Sequence, residues 1–173
     1  MKKFIKEYVA YNFWANKRLC DIIDALNDEQ LNKEMVSSFP TIKKMLLHIW
    51  DAQDIWMERF DGLSPATWPS SDFNGSKKDL IAGVLKSSEL LNQKVLNYSK
   101  KDLKQEVAYT TMKGNSGKSP VYEMLAHVVN HGSYHRGQLI SMLRAAGITD
   151  LPATDLIAYL RENKINELPL VKK

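Results

Sequence analysis

The sequence contains a single cysteine, Cys20, among its 173 residues. One thiol cannot form an internal disulfide, and it cannot supply the several thiolates of a zinc cluster. The charge of the neighbouring Asp21 would raise the pKa of a thiol, so Cys20 is predicted to be a small buried side chain rather than a nucleophile. Scarce cysteine is typical of reducing compartments, and we expect a cytoplasmic location.

The sequence also lacks a long apolar run. No segment approaches the roughly 18 uncharged apolar residues that a membrane-spanning helix requires. The N-terminus begins like a signal peptide with two lysines, but Lys6, Glu7 and Asn12 interrupt the part that would have to be apolar. We therefore expect neither a signal peptide nor a membrane partner.

No strong excess of one charge is present, because 24 lysines and arginines stand against 20 acidic residues, for a net charge of +4. The basic residues are spread along the chain, whereas nucleic-acid-binding faces gather them into a patch or stripe. No internal repeat or low-complexity segment divides the sequence. These features predict one globular domain over residues 1–173, with a substantial core and no nucleic-acid partner.

Helical periodicity dominates the pattern of apolar residues. The predicted helices cover residues 3–26, 41–60, 76–98, 119–146 and 154–162. Ser119 is predicted to cap the fourth helix and Gly147 to end it. Residues 99–118 are predicted to form a long crossover, and a β-prone run within it allows a small hairpin. The tail from Lys164 is predicted to be extended. The predicted fold class is all-α: a four-helix bundle with a short extra C-terminal helix and a long crossover loop before the fourth main helix.

Three of the four histidines, His127, His131 and His135, lie in the fourth predicted helix. His131 and His135 are one turn apart on nearly the same face, a spacing that lets two imidazoles bind one cation. Two partly exposed surface histidines would show the same spacing. His48 lies on an apolar flank of the second predicted helix, where it needs a metal ion or a hydrogen bond if it is buried. The spacing alone leaves these alternatives open.

Four segments together resemble the DinB family of bacterial proteins: YNFWANKRL, LLHIWDAQ, HVVNHGSYHRGQL and PATDLIAYLRE. They occur in the first, second, fourth and last predicted helices, so the resemblance spans nearly the whole chain. It implies a four-helix bundle that binds a divalent metal through His48, His131 and His135. It also implies a homodimer, since members of the family commonly pair.

The family pattern leaves His127 outside the metal site. A straight helix separates it from His135 by about 12 Å along the axis, so all three histidines of the helix cannot bind one ion. His127 is therefore expected to pack near the site. Gln138 shares the face of His131 and could orient a ligand imidazole. Arg136 points about 140° away from His131, which favours an inter-helix or dimer contact over catalysis.

Three imidazoles without an evident fourth protein ligand leave one coordination position open, as in catalytic zinc sites. Imidazole suits several metals, and we expect zinc or nickel as the cofactor. Catalytic residues are not assigned. Glu123 and Asp51 are expected to be solvated, while Tyr134 is expected either to pack or to contact a substrate.

Two functions of different classes follow. The first is a metal-dependent enzyme that acts on a small-molecule substrate, either as a hydrolase or as a transferase that uses a low-molecular-weight thiol, two activities that the resemblance implies. The alternative is a non-catalytic metal-binding stress-response protein. An enzyme needs an open cleft at the metal, whereas a structural metal is sealed by four ligands.

Overall fold

The computed structural model describes the backbone of residues 1–167 and the side chains of residues 1–163. Four long helices form the body of the protein, and three shorter helices and a two-stranded hairpin connect or cover them. The elements are α1 (Lys2–Asp24), α2 (Asp28–Asn32), α3 (Ile42–Phe60), α4 (Lys77–Asn97), α5 (Lys100–Lys104), β1 (Glu106–Thr110), β2 (Ser116–Pro120), α6 (Val121–Ala145) and α7 (Leu156–Glu167).

The long helices α1, α3, α4 and α6 form a four-helix bundle, which confirms the predicted fold class. Helices α1 and α3 each pack against both α4 and α6. The order around the bundle is therefore α1, α4, α3, α6, and the first two long helices lie on a diagonal. Within residues 1–167, no helix is both long enough and apolar enough to cross a membrane.

The ends of α6 show how local chemistry sets a helix boundary. The helix begins at Val121, and not at the predicted cap Ser119, because Ser119 and Pro120 belong to β2. The backbone N–H of Val121 donates to the carbonyl of Gln105 at 3.0 Å, so strand pairing leads directly into the helix. At the other end Gly147, with φ of +92°, stops the helix as predicted.

The short elements were only partly predictable. Helices α2 and α5 lie in segments predicted as connections, and each is only five residues long. Both rest on capping boxes, which are local hydrogen-bond motifs without apolar periodicity. The antiparallel pairing of β1 and β2 agrees with the β-prone run in the crossover. Residues 164–167 are helical, so the predicted extended tail is wrong there, and its remainder lies outside the described residues.

Helix α7 covers the exposed side of α1 at Trp14. The indole Nε1 donates to Glu162 Oε2 at 2.9 Å, and Arg18 forms an ion pair with the same carboxylate. The ring of Tyr159 lies 5.6 Å from that of Trp14. Trp14 is thus half-buried beneath its own chain. The homodimer that the family resemblance implies stays a prediction.

Two apolar clusters form the core. One contains Val9, Leu91 and Leu125 and the other contains Leu19 and Leu139. Cys20 belongs to the second cluster, where burial raises the pKa of its thiol to about 12, as expected for a structural cysteine. Between the clusters every long helix contributes buried polar side chains: Asn12, Asn16, Gln53, Ser87, Ser88 and Arg136.

Arg136 is the centre of this polar layer and is only 1% exposed. Its Nη1 donates to Oδ1 of Asn12 at 2.7 Å and to Oδ1 of Asn16 at 2.9 Å, and its Nη2 donates to Oγ of Ser133 at 2.9 Å. The amide groups of Asn12 and Asn16 donate in turn to Gln53 Oε1, at 2.8 and 3.3 Å. Arg136 therefore makes the predicted inter-helix contact, and its burial excludes the dimer contact.

Two glycines of α6 provide a test of this layer. A Cβ at Gly132 would lie 2.8 Å from Asn12 Oδ1 and 2.9 Å from Arg136 Nη1, whereas a Cβ at Gly137 would meet nothing within 4 Å. We expect Gly132→Ala to destabilise the protein by about 1–3 kcal/mol, because neither atom can move without breaking buried hydrogen bonds. Gly137→Ala should stabilise it by roughly 0.5–1 kcal/mol through helix propensity. Urea unfolding measures the free energy of unfolding of both variants. Equal changes in the two would contradict the role assigned to Gly132.

Candidate metal centre

Adjacent helices bring three histidines together. His48 comes from the second turn of α3, and His131 and His135 come from the middle of α6, on the face that packs against α3. The Nε2 of His48 lies 3.2 Å from the Nε2 of His131 and 3.2 Å from that of His135. The two nitrogens on α6 are 3.1 Å apart. The three predicted metal ligands thus present one nitrogen each to a common point.

This triangle of nitrogens fits a divalent metal ion. Zinc–imidazole bonds of about 2.0–2.1 Å in a tetrahedral arrangement place the nitrogens roughly 3.3–3.4 Å apart. The observed spacings of 3.1–3.2 Å are close to that value. Three imidazoles account for three positions of a tetrahedron, which leaves the fourth for water or a substrate.

Gln138 holds one of the imidazoles in the form that binds metal. Its Oε1 lies 2.8 Å from Nδ1 of His135, so the ring donates its Nδ1 proton there and keeps a lone pair on Nε2. The Gln138 amide nitrogen donates to Ser38 Oγ at 2.9 Å, which fixes the orientation of the amide. The structure therefore gives Gln138 the orienting contact that the sequence suggested.

All three imidazoles are neutral at pH 7. Burial, and secondarily the charge of His135, lowers the pKa of His48 to about 4. Burial, with added repulsion from His135 and His48, lowers the pKa of His131 to about 3. Burial also lowers the pKa of His135, while the hydrogen bond that its Nδ1–H donates to Gln138 acts in the opposite direction. Neutral imidazole is the form that coordinates metal, so no proton has to leave before binding.

The same pKa shifts predict how acid affects the metal-free protein. Above pH 6.5 the imidazoles of His48 and His131 are neutral in both the folded and the unfolded protein. In that range they add no pH dependence to the free energy of unfolding. Between pH 6.5 and about 4 the unfolded chain binds protons that the folded protein excludes, so the free energy of unfolding falls. Chelator-treated protein unfolded in urea at pH 7.5, 6.0 and 5.0 should show this loss. The decline should be shallower in His48→Ala, and equal slopes would contradict the prediction.

His127 lies outside the triangle, as expected. It is an exposed residue whose ring packs 4.8 Å from the ring of Trp56 and 5.8 Å from that of His131. Burial of part of the ring and the nearby charge of Arg59 lower its pKa. It contributes to the surroundings of the metal centre and not to the nitrogen triangle.

Asp51 corrects a prediction from the sequence. It was expected to be solvated, but it is 5% exposed. Its Oδ1 accepts from the backbone N–H of Ser70 at 2.7 Å, and its Oδ2 accepts from Ser70 Oγ at 2.6 Å. Burial raises the pKa of Asp51, while the bonds from Ser70 act in the opposite direction. The carboxylate fastens the loop of residues 61–76 to α3. Glu123, in contrast, is exposed as predicted.

Two aromatic side chains that the sequence did not assign to the site contact His48. Phe39 stacks on its ring with 4.0 Å between centroids, and Trp68 approaches edge-on at 6.2 Å. They line a pocket of about 360 Å³ together with Leu47, Asp51 and His48. That volume is in the range of small-molecule sites. Tyr134 is 61% exposed near His135, so it does not pack in the core.

Fold and site together define a class of protein: a helical bundle in which three imidazoles converge beside a pocket of small-molecule size. Comparison with known sequences identifies the family. The profile of the DinB family matches residues 1–167, and the chain belongs to this family. It is 32% identical over 168 residues to Protein DinB of Bacillus subtilis (strain 168), an alignment that covers 92% of this chain and 95% of that protein.

Solved structures show the same fold. A DinB-like protein from Bacillus cereus ATCC 10987 superposes with a TM-score of 0.63 at 22% identity, over 80% of this chain and 89% of that one. YfiT from Bacillus subtilis superposes with a TM-score of 0.67 at 11% identity, over 86% and 91% of the two chains. YfiT is described as "a probable metal-dependent hydrolase with an unusual four-helix bundle topology".

The geometry predicts which histidines bind metal. His48→Ala, His131→Ala and His135→Ala each remove one corner of the triangle and should each abolish most of the affinity for Zn²⁺. His127→Ala should retain it, with at most the 10- to 100-fold loss that is typical of residues behind the ligands. Zinc titrations of the four variants at pH 7.5 measure this. If His127→Ala lost binding while His135→Ala kept it in full, the assignment would be wrong, and the metal would have to lie one turn closer to the N-terminus of α6.

Proposed function

We propose that the protein is a divalent-metal-dependent hydrolase of small molecules. One observation carries the proposal: three neutral Nε2 atoms, 3.1–3.2 Å apart, converge where His48 also lines a pocket. Three nitrogen ligands with a fourth position free are typical of catalytic rather than structural zinc. The description of YfiT as a metal-dependent hydrolase on the same fold supports it.

The side chains of the site have separate roles in this proposal. His48, His131 and His135 hold the ion, which when bound lowers the pKa of water and polarises a substrate carbonyl or phosphoryl group. Gln138 keeps the Nε2 lone pair of His135 directed at the ion. The ring of Phe39 shields one face of His48 from water.

The pocket beside His48 favours an enzyme over a protein that only stores metal. Phe39, Leu47 and Trp68 give it apolar walls, and the polar groups of Asp51 and Ser70 lie among them. Apolar walls with a few placed polar groups are typical of ligand pockets. A storage or structural site, in which four protein ligands enclose the metal, does not require an open pocket next to one of its ligands.

The proposal predicts metal-dependent turnover. Protein loaded with Zn²⁺ or Ni²⁺ should hydrolyse members of a panel of small activated esters and amides, and chelation should abolish the activity until metal is restored. His131→Ala should lower kcat/KM by at least about 100-fold, since the metal is lost, whereas Ser141→Ala on the same helix should not change it. The panel is run with and without added low-molecular-weight thiols.

The outcomes separate the alternatives. Turnover that requires an added thiol would replace the hydrolase with a thiol-dependent transferase. Stoichiometric metal binding without turnover of any substrate in the panel would contradict hydrolysis and favour the non-catalytic metal-binding role.

A further inference from the structure

The pocket beside His48 has a lysine in its lining. Lys44 precedes His48 by one turn of α3, and both side chains line the same pocket of about 360 Å³. The Lys44 side chain is exposed, so its ammonium is open to a ligand that enters from solvent. Among the described residues, no carboxylate lies within ion-pair distance of this ammonium. The pocket therefore offers a positive charge that a ligand can pair with.

Asp51 is the second charged side chain of the lining, and its carboxylate already has partners. It is 5% exposed, and its two oxygens accept from the backbone N–H and the hydroxyl of Ser70 at 2.7 and 2.6 Å. Seven residues separate Lys44 from Asp51, which is about 10 Å along the axis of α3, and His48 lies between them. A ligand anion at Lys44 is thus kept at a distance from the buried carboxylate.

The part of the pocket around His48 is apolar. The ring of Phe39 stacks on that of His48 at 4.0 Å, the ring of Trp68 lies edge-on at 6.2 Å, and Leu47 adds an aliphatic wall. Such walls stabilise an apolar ligand group by removing it from water. A volume of about 360 Å³ accommodates a ring with a short chain.

The charge of a suitable ligand follows from the two charged residues. A lysine ammonium is a point charge, so it selects for negative charge more than for a particular geometry. A second negative charge on the ligand would gain no further cation from the pocket lining and would be repelled by Asp51. A singly charged group such as a carboxylate is therefore favoured over a doubly charged phosphate.

We propose that the pocket beside His48 binds small amphipathic carboxylates, with the apolar body between Phe39 and Trp68 and the carboxylate paired with Lys44. That such a ligand is the substrate rests on the proposed hydrolase function. The substrate is then an ester or amide that also carries a free carboxylate, about one helical turn from the group that reacts at the metal centre.

Three probes of one shape and different charge test the pocket: phenylacetate, its neutral amide phenylacetamide, and the cation phenethylamine. NMR titrations of zinc-loaded and of metal-free protein follow the indole N–H of Trp68, with that of Trp14 beneath α7 as a control that should not move. Phenylacetate should bind about two- to fivefold more tightly than phenylacetamide in both forms, as an exposed ion pair allows. Phenethylamine should bind most weakly.

Substitutions at Lys44 separate charge from burial. Lys44→Met should raise the Kd of phenylacetate to that of phenylacetamide and leave the Kd of phenylacetamide unchanged, whereas Lys44→Arg should keep the preference. Lys43→Met is the matched control, because it removes the same charge one residue away, where the ammonium lies 5.9 Å from the ring centre of Phe73. Leu47→Ala should weaken both probes alike, since it removes apolar wall and no charge.

Several outcomes would overturn the proposal. Equal Kd values for phenylacetate and phenylacetamide, tighter binding of phenethylamine, or a preference for phenylacetate that survives Lys44→Met would each do so. Phenylacetate binding that requires zinc and ignores Lys44→Met would place the carboxylate on the metal instead. Tighter binding of phenyl phosphate to the metal-free protein would contradict the single charge. Lys44-dependent binding of phenylacetate without turnover of any ester would reject the hydrolase function and leave the carboxylate pocket standing.

Discussion

The arrangement of the bundle depends on the hydrogen bonds that the buried guanidinium of Arg136 donates. An apolar interface between helices tolerates small rotations, whereas a buried cation requires acceptors at fixed positions. Asn12 and Asn16 provide those acceptors from α1, and their amides reach Gln53 on α3. The rotation of α6 about its axis is thereby set, and with it the direction in which His135, the preceding residue, projects. The polar layer thus orients the histidines towards α3.

This layer lies between the two apolar clusters, at the level of the histidine triangle. In α6, His131 faces the histidine triangle, whereas Gly132 and Arg136 share the face towards α1, where the missing side chain of Gly132 gives Arg136 and Asn12 room to meet. Apolar side chains on both sides hold the layer in place and exclude water from it. A ligand set held by packed helices on both sides keeps its geometry better than one on loops.

The sequence predicted the parts of the structure that depend on nearby residues. The four long helices followed from periodicity, and the grouping of His48, His131 and His135 followed from a family resemblance that histidine spacing alone could not replace. An inter-helix contact of Arg136 was predicted as one alternative, but its partners could not be, because Asn12 lies 124 positions away and its amide is an ordinary helix-surface group until the bundle forms. Asp51 was misjudged for the same reason, since its partner Ser70 is in a loop without periodicity. Ser119 has the chemistry of a helix cap, but pairing with β1 took precedence.

The connections between the helices contribute to the surroundings of the metal centre. Helices α1 and α3 lie on one diagonal of the bundle and α4 and α6 on the other, so two of the three connections between long helices cross the bundle, while residues 61–76 join the neighbours α3 and α4. Residues 61–76, which are attached to α3 by the hydrogen bond between Ser70 and Asp51, bring Trp68 next to His48. The β1–β2 hairpin brings Tyr109 next to Trp56. The helices therefore fix the nitrogens of the centre, while the connections supply aromatic side chains around it. Under the proposed function, substitutions in the loop of residues 61–76 would change specificity with less disturbance than substitutions on the helix faces, whose buried polar residues belong to the hydrogen-bonded layer or to the histidine triangle.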